Sequence, residues 1–307
     1  MEVVTTPPSP PTPLPQAGEG YIELSAAWPA PAKLNLMLRI VGRRPDGYHL
    51  LQTVFQFLDY HDWLWFTPRE DGVIERIGEV SGVSLEDDLT VRAARRLQQI
   101  TGTGQGTTIH IIKNLPIGGG LGGGSSDAAT VLVALNHYWR TGLSLVELAA
   151  LGLQLGADVP VFVHGQAAWA EGVGERLTPV MLDEPWFVVL KPACQVATGA
   201  VFNDPELTRN SPLSTIVDFV NGAGGNDCEA VVYRRYPEVA AAAAWLAQQS
   251  VARLTGTGAC VFAAFPDVDS ARQVLARLPP DWTGFVARGC NRSPLHERLA
   301  REQQVSA

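Results

Sequence analysis

Lysine is scarce in this chain: three of its 307 residues, at positions 33, 113 and 191, against twenty arginines, so each lysine asks for its own explanation. No glycine is followed by lysine, which excludes the common P-loop, whose Gly-Lys must precede Ser or Thr. No apolar run approaches the ~20 residues that cross a bilayer. The N-terminus also lacks the basic start and the apolar stretch of ~7 to 15 residues of a secretory signal. The chain is therefore read as cytoplasmic, with no membrane partner. The four cysteines, Cys194, Cys228, Cys260 and Cys290, form no Cys-x-x-Cys pair, so they are read as free thiols in a reducing compartment. Basic charge is in deficit, 23 residues against 31 acidic for a net of −8, which argues against binding along a nucleic-acid backbone but not against one anionic substrate. Residues 1–20 contain six prolines and neither an aromatic nor a basic residue, too little apolar surface to offset chain entropy. Residues 1–25 are read as a disordered, Pro-rich tail.

What the chain does have is glycine in one place. Leu115-Pro116-Ile117-Gly118-Gly119-Gly120-Leu121-Gly122-Gly123-Gly124-Ser125-Ser126-Asp127 opens directly onto a helical pattern in which Ala128, Val131, Leu132, Leu135, Tyr138 and Trp139 share a stripe up to Gly142. Glycine lets backbone approach an anion closely, and a helix start offers unpaired N–H groups and a positive dipole end. A dinucleotide fingerprint can be laid over Gly118, Gly120 and Gly123, but it lies beyond residue 100, after a β-rich opening rather than in a first βαβ unit. A flexible linker would not explain Pro116 and a well-formed helix on either side.

The rest of the pattern places this loop. Ala32, Leu34, Leu36, Leu38 and Ile40 alternate with Lys33, Asn35, Met37 and Arg39, which predicts a half-buried strand with Lys33 and Asn35 on one face. After the turn Arg43-Arg44-Pro45-Asp46-Gly47, residues 48–58 and 63–66 read as two further strands. Asp87 or Asp88 caps a helix to about Ile100, residues 107–113 form the strand before the loop, and Ser144-Leu145-Val146-Glu147 is a capping box whose helix runs to Gly156. Beyond about residue 178 strands and helices alternate, and residues 203–225 read as a long irregular connection. The expected organisation is an α+β chain of two domains, residues 26–178 holding the phosphate loop and residues 179–307 the remainder.

Three more segments join the loop: Pro31-Ala32-Lys33-Leu34-Asn35-Leu36 with Arg44-Pro45-Asp46-Gly47-Tyr48-His49, then Leu155-Gly156-Ala157-Asp158-Val159-Pro160, and Leu254-Thr255-Gly256-Thr257-Gly258-Ala259. Together they resemble the GHMP kinase superfamily, and within it the branch whose small-molecule substrate is a cytidine diphosphate-linked methylerythritol. The resemblance covers about residues 28–296. It implies a two-domain GHMP kinase fold with the active site in the inter-domain cleft, and ATP with Mg2+ as co-substrate. ATP would lie on Pro116, Ile117, Gly118, Gly119, Gly120, Leu121, Gly122, Gly123, Gly124, Ser125 and Ser126, with Lys113 and Asp88 beside it.

Phosphoryl transfer to an alcohol needs an aligned nucleotide, stabilised charge and an acceptor for the hydroxyl proton. Asp158 suits the last task, although aspartate before Val159 is also an ordinary helix cap. The resemblance assigns it the proton and makes Lys33 its catalytic partner, with Asn35 orienting the acceptor diol. Tyr48 and His49 would stack on and hydrogen-bond a pyrimidine, with Thr198 and Phe202 closing that pocket and Thr255 and Gly256 approaching from the second domain. Tyr48 also fits a core position, and the Thr255 loop also fits a tight strand-entry turn. Lys113 can reach the nucleotide base or remain solvated, and Lys191 reads as surface. At Asp88 the family resembled carries asparagine near the adenine, a donor that an ionised aspartate is not. No carboxylates cluster as a metal cage, so Mg2+ would ride on the nucleotide, helped by Ser126. Competing functions are another kinase of the superfamily, of homoserine or mevalonate type, and a non-catalytic nucleotide-binding module. The sequence does not give an oligomeric state.

Overall fold

A computed structural model describes residues 27–78, 84 and 86–305. The expected tail of residues 1–25 lies outside the described residues. In chain order the first half comprises β1 (Trp28–Arg43), β2 (His49–Arg69), β3 (Ile74–Ile77), α1 (Leu89–Thr101), β4 (Gly106–Ile112), α2 (Gly123–Tyr138), α3 (Leu145–Leu153), α4 (Val159–His164), β5 (Ala168–Gly172) and β6 (Arg176–Pro179). The second comprises β7 (Trp186–Lys191), α5 (Thr198–Phe202), α6 (Ile216–Val220), β8 (Gly225–Asn226), α7 (Glu229–Arg235), α8 (Pro237–Ala247), β9 (Arg253–Leu254), β10 (Val261–Phe265), α9 (Val268–Leu275), β11 (Thr283–Cys290) and α10 (Pro294–Val305).

The sheet runs β3-β4-β2-β11-β7-β10-β9, with β1 and β5 also paired to β2. β2 is the spine. Its first half pairs with β5, its second half with β4, and Phe57 and Leu58 meet β11, the strand that carries the sheet into the second half. The two strands expected over 48–66 are thus one. The polar residues between the two expected strands have distant partners: Asp59 accepts from the Arg288 amide at 2.7 Å, and Asp62 accepts from the Asn114 and Leu115 amides at 2.6 and 2.7 Å. β1 is buried on both faces rather than half-buried: Trp28 and Ala30 join the helices' core, Ala32 and Leu34 pack with Leu121 of the loop, and Leu38 and Ile40 join the second core. A bulge between Asn35 and Met37 breaks the alternation. It leaves Lys33 and Asn35 facing the cleft while Met37 turns into a cluster with Val54 and Trp169.

Two cores flank a seam. One holds α1–α4 against β1, β2 and β5, and the other holds α7, α8 and α9 against β7, β10 and β11. Leu295 of α10 belongs to the first core, so the C-terminal helix returns across the expected boundary at residue 178. Between them lies a third cluster drawn from both halves, including Ala32, Leu34, Leu115, Leu121, Phe187, Cys260 and Phe262. Leu121 explains itself here: the one large apolar residue inside the glycine run is 1 % exposed and anchors the loop, a burial worth ~2 kcal/mol. The long connection expected over 203–225 contains the short helix α6 and leads into β8. Helix α2 begins at Gly123, so two loop glycines form its first turn, and it ends at Tyr138, before Gly142.

Candidate active site

The loop's backbone is turned so that its carbonyls face inward. Gly118 O accepts from the Ala259 amide and Gly119 O from the Cys260 amide, both at 3.1 Å, and Leu121 O accepts from the Lys33 amide at 3.0 Å. Gly120 O accepts from Thr255 Oγ1 at 3.3 Å. Among the described residues the N–H groups of Gly118 to Gly122 donate to nothing, and α2 has neither a side-chain cap nor an acidic residue in its first turn. With acceptors consumed and donors open, the loop is polarised for an anion. Glycine is obligatory at Gly120: its φ is +76°, and a Cβ there would stand 2.3 Å from the Thr255 carbonyl.

The loop separates two cavities. One, of about 510 Å3, is lined by Asp87, Asp88, Lys113, residues 115–125 and Asp127. The other, of about 650 Å3, is lined by Lys33, Asn35, Tyr48, His49, Asp158, Thr198, Phe202, Gly256 and Thr257 among others. Gly120, Gly122 and Ser125 line both, so the wall between them is one turn of backbone and a hydroxyl.

Across that wall stand Lys33 and Asp158, with Nζ 3.2 Å from Oδ2. Asp158 sits at the N-cap position of α4 but makes no capping hydrogen bond. A carboxylate in that place that does not cap is available for chemistry. Lys33 also donates to Asn35 Oδ1 at 2.5 Å and lies 5.3 Å from the centre of the Phe55 ring. Asn35 in turn donates to Thr53 Oγ1 at 2.9 Å. Its amide is therefore engaged in holding Lys33.

The pyrimidine candidates gather at the far end of the second cavity. His49 stacks on Phe202, ring centres 4.9 Å apart at 22°, and Tyr48 is 61 % exposed at the rim, not in the core. Thr198 meets Thr257 at 2.9 Å across the opening. Thr255 is fully buried and does not line the cavity. It accepts from the Asn35 amide at 3.0 Å and so ties the loop, β1 and the second half together. Thr257, which the sequence reading did not single out, takes the lining position.

Lys113 is neither solvated nor free. Its ammonium pairs with Asp127 at 2.6 Å and with Asp62, and although burial opposes its charge, the two carboxylates prevail and raise its pKa. Burial, with Asp62 alongside, raises the Asp127 pKa. Asp88 caps α1, accepting from the Thr90 amide at 2.8 Å, and its other oxygen pairs with Arg76 at 2.6 Å. It lines the first cavity with its carboxylate already paired to Arg76. Ser126 is fully buried and lines neither cavity, while Ser125 lines both. Lys191 is not simply surface: its ammonium donates to the Pro192 carbonyl at 2.9 Å and to that of Cys194. All four cysteines are free. Among the described residues no three His, Cys, Asp or Glu side chains could hold a metal, and no helix is long and apolar enough to cross a membrane.

Residues 88–166 match the GHMP kinases N terminal domain and residues 210–282 match GHMP kinases C terminal. The 4-diphosphocytidyl-2-C-methyl-D-erythritol kinase of Nitrosococcus oceani is 59% identical over 274 residues, 89% of this chain and 98% of that protein. The chain belongs to the GHMP kinases, in the 4-diphosphocytidyl-2-C-methyl-D-erythritol kinase family. The kinase of that name from Halorhodospira halophila is 56% identical, covering 90% of this chain and 96% of its own. A crystal structure of 4-(cytidine 5'-diphospho)-2C-methyl-D-erythritol kinase superposes with a TM-score of 0.75 at 32% identity, over 86% of this chain and 98% of that one. The Methanococcus jannaschii mevalonate kinase shares the fold at 14% identity, TM-score 0.66, over 90% of this chain and all of its own. The two-domain GHMP kinase fold expected from the motifs is thus the fold observed.

Proposed function

We propose that this GHMP kinase transfers the γ-phosphoryl group of ATP to the 2-hydroxyl of 4-diphosphocytidyl-2-C-methyl-D-erythritol, a step of the non-mevalonate route to isoprenoid precursors. The observation that carries the reading is the uncapped Asp158 carboxylate beside Lys33 at the wall shared by the two cavities. ATP lies in the cavity under the loop, its phosphates on the open amides of Gly118 to Gly122 and the start of α2. The cytidylated diol lies in the other, its base at Tyr48, His49 and Phe202. The substrate hydroxyl oxygen attacks the γ-phosphorus as its proton passes to Asp158, and the bond to the ADP oxygen breaks. Lys33, fixed by Asn35, stands beside that carboxylate and faces the charge that develops.

The donor set fits Mg2+ carried by the nucleotide. Ser125 lines both cavities and its hydroxyl could join the shell, phosphate oxygens and water would complete it, and the ion would neutralise phosphate charge. Such an enzyme works where ATP is plentiful, in the cytoplasm.

The test is an assay of ATP consumption with the cytidylated diol, mevalonate and homoserine as separate acceptors. Turnover of the cytidylated diol alone is expected. Turnover of a base-free alcohol without it would overturn the assignment.

A further inference from the structure

We propose that Arg209 sets the tautomer of His49, so that His49 presents its Nδ1–H as a donor to the substrate's pyrimidine. This rests on the cytidine-bearing substrate proposed above. The residues are 160 apart in sequence, and Arg209 lies in the stretch expected to be an irregular connection.

Arg209 Nε stands 3.1 Å from His49 Nε2. A guanidinium nitrogen carries hydrogens and no lone pair to offer, so in this contact Arg209 donates and Nε2 accepts. Neutral imidazole has one N–H, which must then sit on Nδ1. Two cations act on the ring, Arg209 and Arg43. Burial first and these charges next lower the His49 pKa, so the ring stays neutral where a free histidine would begin to protonate.

The guanidinium is itself immobilised. It donates to the carbonyls of Leu207 at 3.1 Å, Phe202 at 2.8 Å and Asp204 at 2.7 Å. One side chain therefore fixes both members of the His49–Phe202 stack, the imidazole through its nitrogen and the phenyl through its backbone. Behind it, the buried Asp204 carboxylate binds Arg234 at 2.8 Å and Arg235 at 2.7 Å, fastening this turn to α7 and the second core. The ring can neither flip nor tilt without breaking this set.

The chemical consequence is selectivity. A fixed N–H donor is matched by the acceptor edge of cytosine, where N3 and O2 carry lone pairs. It is mismatched by the N3–H of uracil, since two facing donors leave both unsatisfied. Arg209 is a positioning residue, acting through His49 rather than on the substrate.

The experiment is nitrogen-15 NMR of the histidine-labelled full-length protein without ligand, the His49 signals identified by their loss in His49→Gln. The expected pattern is a protonated Nδ1 and an unprotonated, hydrogen-bonded Nε2. In Arg209→Gln the ring should revert to the Nε2–H form that predominates in water, and in Arg209→Lys part of the wild-type pattern should return. The KM for the cytidylated substrate should rise about tenfold in Arg209→Gln, the size of one hydrogen bond, with the loss falling on KM rather than kcat and the KM for ATP unmoved. An Nε2–H tautomer in the wild-type protein overturns the proposal, as does an unchanged substrate KM in Arg209→Gln. The tautomer is read without substrate, so an enzyme that shows it yet does not turn over the cytidylated diol would overturn the functional reading and leave the positioning role intact.

Discussion

The Lys33 ammonium and the Asp158 carboxylate form an unequal pair: at 3.2 Å the lysine is 3 % exposed and the aspartate 34 %. The cation is enclosed by Asn35, Phe55 and the loop, whereas the anion keeps one side open to the larger cavity. That inequality suits a fixed charge beside the group proposed to receive and release a proton.

Replacing Asp158 by asparagine keeps the shape and removes the proposed proton acceptor. Turnover should fall by ~100-fold or more, while nucleotide affinity, set on the other side of the loop, stays within about twofold. Calorimetric titration with a non-hydrolysable ATP analogue, run beside steady-state kinetics, checks both. Full activity in Asp158→Asn would end its role as base.

Lys33→Arg preserves charge but not size. The Lys33 side chain already passes within 3.2 Å of where a Cβ on Gly122 would stand, so a planar guanidinium has no room beneath the loop. A loss of turnover of about 100-fold is expected, of the order of losing one fixed charge in a water-poor site. Wild-type kcat would show that any cation suffices.

Much of this site was readable from the sequence. Lys33, Asp158 and the glycine loop each sit in a short ordered motif, and their placement on a strand, at a helix start and between the two followed from local pattern. What was hidden depends on partners far along the chain. No period announces that Asp62 and Asp127 will enclose Lys113, that Asp59 will receive the Arg288 amide and keep β2 continuous, or that Arg209 will reach His49. The bulge after Asn35 was equally hidden, since strict alternation was the only signal and it continues through residue 40. Polar residues in a strand look like breaks until their acceptors and donors are found.

Gly120→Ala and Gly102→Ala separate conformation from crowding. Both positions have positive φ, +76° and +67°, but an added Cβ meets the Thr255 carbonyl at the first and nothing within 4 Å at the second. Gly102→Ala should cost ~1 kcal/mol of stability, the backbone term alone. Gly120→Ala should cost ~1–3 kcal/mol more and should also abolish nucleotide binding. Thermal unfolding with and without ATP reads both, and equal losses would place the loop elsewhere than against Thr255.

Acid stability should carry the signature of His61. Burial lowers its pKa to about 4 from the ordinary 6.5, and its Nδ1 has no hydrogen-bond partner among the described residues. Between those values the unfolded chain binds a proton that the folded one refuses, so stability rises with pH through the window and falls on acidification. The difference amounts to ~3 kcal/mol by linkage. Denaturant unfolding from pH 7 to pH 4 should show this slope in the wild type and a shallower one in His61→Phe. Parallel slopes would remove His61 as the cause.

The shared wall has a thermodynamic corollary. Gly120, Gly122 and Ser125 border both cavities, and the Gly120 carbonyl is held by Thr255 from the opposite half of the chain. A ligand that shifts this turn from one side shifts the surface offered to the other, so the two binding equilibria cannot be independent. Linkage then makes the influence mutual: whatever factor the alcohol imposes on the affinity for ATP, ATP imposes on the affinity for the alcohol.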